Sequence, residues 1–470
     1  MEALPQGHQS DSGQRGRTLF PVALALLACA GILLVPGAWL PGGPRRGMAV
    51  GCAAVILWMA PALPLPVGSL FILLLLGLLR GEMPLPQVFQ GFSSPVIFFL
   101  LGVLAIGSAT VKTGLAWRLL GLLLGRGRGG PWAMFRRLLC SLPLQPILIP
   151  SAITRNAILV PAFQQFFDRT GLLARSGIAR ATFLTLGVLN AMASSAFLTG
   201  GLVPITSSTL LGGFTWTRWF LLMSVPYFSL ILLGGVVLWV LYGRGPGKEP
   251  PGWGMEDPPG RLSRDERRVL GALVPTILLW LTDALHGLSP ALPALFAGTL
   301  LYLPGTGVLS WRDLDRDGPL TLLVTVGTAL SLAQFLTASG APQWAADRLL
   351  ASGVRELVPL AAWVALLVLL ITGVHLGVPN LSGAIALLIP VVGPLAAAVG
   401  ISPLASGLMV TIVVDTVILY PAQTTTVLLA HSTGQLETGD VLRFGLIMLG
   451  VTVAMMNLVI LPYWRLLGVL

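Results

Sequence analysis

The chain has 470 residues, of which 55% are hydrophobic and only 10% charged, and its net charge is +10. Soluble domains carry about 25% charged residues, so this composition excludes one and describes a polytopic membrane protein. The basic balance fits cytoplasmic loops rather than nucleic acid. The scattered Cys29, Cys52, Cys140, His8, His286, His375 and His431 form neither a disulfide framework nor a metal spacing.

Residues 1–18 are polar and are expected to be a disordered cytoplasmic N-terminus. The first apolar run is 19–35. Arg15 and Arg17 before it leave a signal peptide open, but the close approach of the next span favours a retained helix. Spans at 48–63, 65–79 and 95–111 follow. A basic loop then carries Lys112, Arg118, Arg126, Arg128, Arg136 and Arg137. The segment 132–167 is too long for one straight helix across a ~30 Å hydrocarbon core, and Pro143, Pro146 and Pro150 cut its middle. It reads as a re-entrant hairpin with 151–155 at its tip. A loop at 168–180 carries Arg169, Arg175 and Arg180. The segment 181–211 reads as a helix that unwinds near Gly200, and 220–242 is a clean span.

A hydrophilic linker, 243–268, divides the chain. The second part, 269–470, has spans at 269–285, 290–303 and 320–336. A second hairpin at 357–397 is broken at 375–382, and spans at 403–430 and 441–461 follow. Motifs of the first part, 19–242, return in this order. Ile56-Leu57-Trp58 recurs as Leu278-Leu279-Trp280, Thr113-Gly114 as Ser339-Gly340, and the pair Pro150 and Pro161 as Pro379 and Pro390. The reading is all-α, with about 11 transmembrane helices in two repeats, two re-entrant hairpins and broken helices. Five spans per repeat make the second copy inverted. Most of the Lys and Arg then fall on the N-terminal side of the membrane, which places the N-terminus in the cytoplasm and the C-terminus outside a plasma (inner) membrane.

Broken helices present free N–H and C=O groups at membrane depth, and paired breaks in two repeats point to a transport site. The substrate candidates are Ser151, Thr154, Arg155, Asn156, Asn380, Ser382, Thr424 and Thr425. The cation candidates are Ser151, Gly200, Gly201, Asn380, Asp415 and Gln423. Arg155 is costly inside a membrane, by at least ~2.5 kcal/mol, and is expected to face substrate, water or a carboxylate. Asp415, the one acid of its span, is a candidate for a coupling cation or proton, or for pairing with Arg155. His375 is expected to be packed and Asp283 to be solvated. No GxxxxGK[ST] loop and no nucleophile–base set occurs, so neither an ATP-driven pump nor an enzyme is expected.

The segments GFSSPVIFFLLGVLAIGSATVKTGLAWRLL (91–120) and GQLETGDVLRFGLIM (434–448), with the two proline-framed tips between them, resemble the divalent anion/sodium symporter family. This is the sodium:sulfate/dicarboxylate symporter family of the ion transporter superfamily, and the resemblance covers most of 48–465. It implies eleven spans, two hairpins and inverted repeats. It also implies a homodimer with a scaffold and an elevator-like transport domain, a small anionic substrate such as a dicarboxylate or sulfate, and bound sodium rather than any organic cofactor. The family's Ser-Asn-Thr signature reads here as Ser151-Ala152-Ile153 and Asn380-Leu381-Ser382, and its Thr-Pro-Pro stretch reads as Thr424-Thr425-Thr426. Its first-half counterpart near Gly200-Gly201 is altered too. Arg155, just past the first tip, is then expected to supply charge that a bound cation brings elsewhere. That would lower the sodium requirement or make the protein an exchanger. The alternatives are a cation/proton antiporter or an oxyanion (arsenite-type) exporter of the same superfamily and, from another class, a channel or non-transport membrane subunit.

Overall fold

A computed structural model describes residues 11–124, 131–170, 174–243, 260–305, 307–316 and 319–470. Among these the chain is all-α. Six helices are long and apolar enough to cross a membrane by length and composition. Helix α1 (Asp11–Leu33) starts inside the segment expected to be disordered, so 11–18 is helical, while 1–10 lies outside the described residues. Arg126, Arg128 and linker positions 244–259 also lie outside them.

Helices α2 (Gly42–Met59) and α3 (Leu65–Leu78) are followed by α4 (Pro95–Lys112), which Ser94 caps by accepting from the Val96 N–H. The short amphipathic α5 (Leu115–Leu124) precedes the first hairpin, α6 (Pro131–Ser141) and α7 (Ala152–Thr170). The helix expected to unwind near Gly200 is α8 (Gly177–Leu184), a π turn (Thr185–Leu189), α9 (Asn190–Ser195), a non-helical stretch 196–201, and α10 (Leu202–Leu210). Then comes α11 (Trp216–Tyr242).

After the linker, α12 (Arg264–Leu281), α13 (Ala291–Tyr302), α14 (Pro319–Ser339) and α15 (Ala341–Ala351) lead to the second hairpin, α16 (Leu360–Gly377) and α17 (Leu381–Ala398). A second broken helix follows, with α18 (Pro403–Thr416), an irregular stretch 417–424, and α19 (Thr425–His431). The last span, α20 (Thr438–Met455), passes through a π turn (Met456–Ile460) into α21 (Leu461–Leu466).

Between helices in lipid there is little hydrophobic drive, so close backbone approach through small residues does the packing. Helices α4 and α13 cross at Gly102 and Gly298, where a Cβ on Gly102 would stand 2.2 Å from the Ala294 carbonyl oxygen. Around the breaks, carbonyls and N–H groups must be satisfied by protein. In the stretch 417–424, Gln423 does this work. Its Oε1 accepts from the Leu419 N–H at 2.8 Å and its Nε2 reaches the Val417 carbonyl at 3.4 Å. Gly445 of α20 lies against the same stretch, since a Cβ there would sit 2.0 Å from the Ile418 carbonyl oxygen.

One expectation is overturned here. Asp283 is not solvated. It is buried, and its Oδ2 accepts from the Trp216 N–H at 2.6 Å, where α11 begins. An acid at a helix N-terminus complements the free N–H groups there.

Candidate functional site

The two hairpins turn in the same way. At the first, the Ser151 N–H donates to the Ile149 carbonyl across Pro150 at 2.8 Å, and Arg155 N–H then donates to Ser151 O at 3.0 Å to start α7. At the second, the Asn380 N–H donates to the Val378 carbonyl across Pro379 at 2.7 Å, and Ala384 N–H donates to Asn380 O at 2.9 Å to start α17. Proline suits the centre of such a turn, because it has no N–H to leave unpaired. Pro161 and Pro390 lie inside α7 and α17 and do not end them.

Behind the first turn, Arg155 is fully buried and its guanidinium is held by protein. Nη1 donates to the Ile149 carbonyl of the turn at 2.7 Å. Nε donates to Asn190 Oδ1 at 2.8 Å, and Nη2 donates to the Asn190 carbonyl at 2.8 Å and to Ser194 Oγ at 2.7 Å. Asn190 Nδ2 donates on to Asn156 Oδ1 at 2.6 Å, and Asn156 Nδ2 to the Leu186 carbonyl at 2.8 Å. The fork geometry of arginine is what allows one side chain to tie a turn and a helix end together. Asn190 and Ser194 come from α9, and the Leu186 carbonyl that takes Asn156 comes from the π turn, where the ladder of ordinary helix bonds is interrupted. Gly200 is required at the end of α9, since a Cβ would stand 2.0 Å from the Ser194 carbonyl oxygen.

Asp415 lies at the end of α18, also buried. Its Oδ2 accepts from the Tyr227 hydroxyl at 3.0 Å, and the Ser195 side chain lies beside it. Among the described residues no ion pair joins it to Arg155. On the far side, fully buried His375 turns its ring towards the carbonyls of Val378 and Val414 without closing a hydrogen bond to either. Buried polar groups therefore lie at intervals between the two turns. From the Ile149 carbonyl onward they are Arg155, Ser194, Ser195 and Asp415, then His375 before the Val378 carbonyl.

The remaining candidates are placed as follows. Ser151 Oγ caps α7 by accepting from the Thr154 N–H at 3.2 Å, and Thr154 packs against Gly107 of α4. Ser382 is fully buried and its Oγ has no partner; Asn380 is half-buried and its Nδ2 has none. Thr424 caps α19 by accepting from the Val427 N–H at 3.3 Å, and Thr425 is exposed. Gly200 is buried and Gly201, half-buried, begins α10. Tyr227 carries no sequence signal, being one of several hydroxyls in an apolar span. Among the described residues no group of His, Cys, Asp and Glu forms a metal cluster.

These features define a polytopic α-helical membrane protein with a polar centre made from broken helices. The chain belongs to the sodium:sulfate symporter transmembrane region family, whose model matches residues 17–470. It is a multi-pass membrane protein of a transporter family and not an enzyme. It is similar to a membrane protein of Cupriavidus necator, 25% identical over 410 residues that cover 79% of this chain and 77% of that one. It is also similar to the putative malate transporter YflS of Bacillus subtilis (21% identical, covering 60% of this chain and 62% of that one). The L-tartrate/succinate antiporter of Escherichia coli is 27% identical, with 59% and 60% covered. The chain thus spans about three fifths of the length of these two transporters. The fold resembles that of the Alcanivorax borkumensis YdaH transporter, with a TM-score of 0.53 at 19% identity, covering 84% of this chain and 88% of that one.

Proposed function

We propose that the chain is a secondary active transporter of small anions, working by alternating access of elevator type. The observation that carries this is the pair of matching proline turns, with buried polar groups between them. Two broken hairpins in corresponding halves are the arrangement in which substrate and coupling ions meet near the membrane midplane. Two inverted repeats, a homodimer, and a plasma-membrane location with the N-terminus inside and the C-terminus outside complete the reading. Relatives named as malate, dicarboxylate and tartrate/succinate transporters make a dicarboxylate the first substrate class to try, with sulfate beside it.

Coupling is to sodium or protons. Arg155 places a fixed positive charge beside the first turn, so in this reading the sodium requirement is reduced or replaced by exchange. A cation/proton antiporter is the second reading, favoured by Asp415, a buried acid with a hydroxyl partner and no basic one. The test is uptake of labelled succinate and sulfate into proteoliposomes, with sodium and proton gradients imposed separately. Gradient-driven uptake of either anion is expected. Uptake of neither, together with sodium/proton exchange, would establish the second reading instead.

A further inference from the structure

Helices α2 and α12, one from each repeat, end in matching faces. Val55, Trp58 and Met59 of α2 correspond to Ile277, Trp280 and Leu281 of α12, through the repeated Ile56-Leu57-Trp58 and Leu278-Leu279-Trp280. Spacings of three and four residues put each set on one side of its helix. Both indoles are buried, and each is held by the helix that follows. Trp58 Nε1 donates to Ser69 Oγ of α3 at 3.1 Å, and Trp280 Nε1 donates to the Pro290 carbonyl, at the start of α13, at 2.9 Å. An indole with its N–H satisfied is a rigid, largely apolar surface.

The two faces are used differently. The α2 face grips the second turn. Gly377 and Gly383 flank that turn, and both are pressed on α2. A Cβ on Gly377 would lie 2.8 Å from Met59 Sδ and 3.4 Å from Val55 Cγ1, and one on Gly383 would lie 3.1 Å from Trp58 Cζ3. Glycine at both positions lets the turn sit astride the end of α2. The α12 face opens instead on a small cavity. Its walls, besides Ile277, Trp280 and Leu281, include Pro146 and Ile147, which lead into the first turn. Protein interiors are close-packed, so two equivalent faces, one filled by a turn and one left open beside the other turn, need an explanation.

We infer that these faces are alternate seats for the two hairpin turns. The second turn occupies the α2 seat here. In the opposite end state the first turn, 149–151, closes the cavity onto the α12 seat as the second turn leaves Trp58. Trp58 and Trp280 are positioning residues, each setting where one turn stops. This rests on the alternating-access reading above and names the surfaces between which the hairpins move. Inverted repeats exchange the roles of their equivalent parts between the two end states, and a pair of equivalent seats filled one at a time is what such an exchange requires.

The test is disulfide cross-linking of the full-length protein in proteoliposomes, with Cys29, Cys52 and Cys140 replaced by alanine. Met59→Cys with Gly377→Cys reports the α2 seat. Leu281→Cys with Leu148→Cys reports the equivalent positions at the α12 seat. Copper phenanthroline oxidises each thiol pair to a disulfide, and loss of maleimide-reactive thiols measures this without any substrate. Both pairs are expected to cross-link. Each cross-link should cut uptake of succinate or sulfate by at least about tenfold, and reductant should restore it, because a hairpin that cannot leave its seat stops turnover. Absence of cross-linking at the Leu148 and Leu281 positions, or full uptake by either locked protein, would overturn the inference. If the unoxidised protein takes up neither anion, the anion-transport reading fails, while cross-linking still decides whether both seats are used.

One substitution separates exchange from independent motion. Gly383→Val sets a branched side chain against Trp58, whereas Gly393→Val on the same helix meets nothing within 4 Å of its Cβ. Gly383→Val should slow cross-linking at the α2 seat and speed it at the α12 seat, each by at least about threefold, as a shift between two states requires. Gly393→Val should change neither. Slowing at both seats, or at neither, would overturn the inference.

Discussion

Arg155 and Asp415, the two opposite charges of the buried centre, are held by consecutive residues of one short helix. Ser194 Oγ accepts from Arg155 at 2.7 Å, while Ser195 lies beside Asp415, which takes the Tyr227 hydroxyl at 3.0 Å. Successive residues of an α-helix point about 100° apart, so α9 presents its two serines to two different neighbours. The charges are thus linked through a helix without forming a direct ion pair. A direct pair could have formed without either hairpin turn. This arrangement makes the first turn, α9 and the broken helix α18 depend on one another.

Arginine at 155 acts through its shape as much as its charge. Lysine keeps the charge but offers a compact ammonium where four acceptors surround a planar fork. The variant Arg155→Lys, with three donors for four acceptors, is expected to leave at least one buried acceptor unmatched, at about 1–3 kcal/mol. Arg155→Met leaves all four. Melting temperatures in detergent should therefore fall in the order wild type, lysine, methionine. If the lysine variant melts with wild type, the fork is not what holds the turn.

Two glycines of α20 provide a matched pair. A Cβ on Gly445 would stand 2.0 Å from the Ile418 carbonyl oxygen, whereas Gly450 has nothing within 4 Å of that position. Alanine in a helix is otherwise better than glycine by roughly 0.5–1 kcal/mol. Gly450→Ala should be neutral or slightly stabilising and keep full uptake. Gly445→Ala has to push the stretch 417–424 aside, and uptake should fall several-fold. Equal uptake by the two variants would show that this stretch tolerates displacement.

Much of the architecture was legible in the sequence because lipid imposes few solutions. The segments 132–167 and 357–397 each hold two helices either side of a proline turn, α6–α7 and α16–α17, and the helix of 181–211 loses its α-helical form at 196–201 near Gly200. Prolines and apolar run lengths carry that information locally. The site was less legible, because its hydrogen bonds join residues far apart in the chain. Arg155 stood out by its cost in a membrane, but three of its four acceptors, on Asn190 and Ser194, lie 35 and 39 residues away on α9. Tyr227 lies 188 residues from Asp415, and nothing in its own span marks it out. Asp283 seemed solvated at a span end, yet its burial follows from a long-range contact with the start of α11.

Arg118 of α5 and Glu266 at the start of α12 form a largely shielded ion pair near the end of the span, with Nε to Oε1 at 2.9 Å and Nη2 to Oε2 at 3.4 Å. Glu266 also completes a capping box with Ser263. It lies ahead of the apolar part of α12, outside the membrane-spanning segment. Hydrogen bonding from Arg118, followed by the Ser263 N–H, holds its carboxyl below the usual value of 4.5. A carboxyl depressed in the folded state contributes stability that is complete above its unfolded value, near 4.3, and is lost as pH falls through the folded one. Discounted for its position at a solvated surface, the pair is worth about 1 kcal/mol. Glu266→Gln should therefore melt below wild type at pH 7. As pH falls below about 4.3 the two curves should converge, because protonation removes from wild type what the substitution has already removed. Melting at pH 7, 5 and 3.5 checks this, and a gap of constant size across that range would assign the loss to the capping box rather than to the charge.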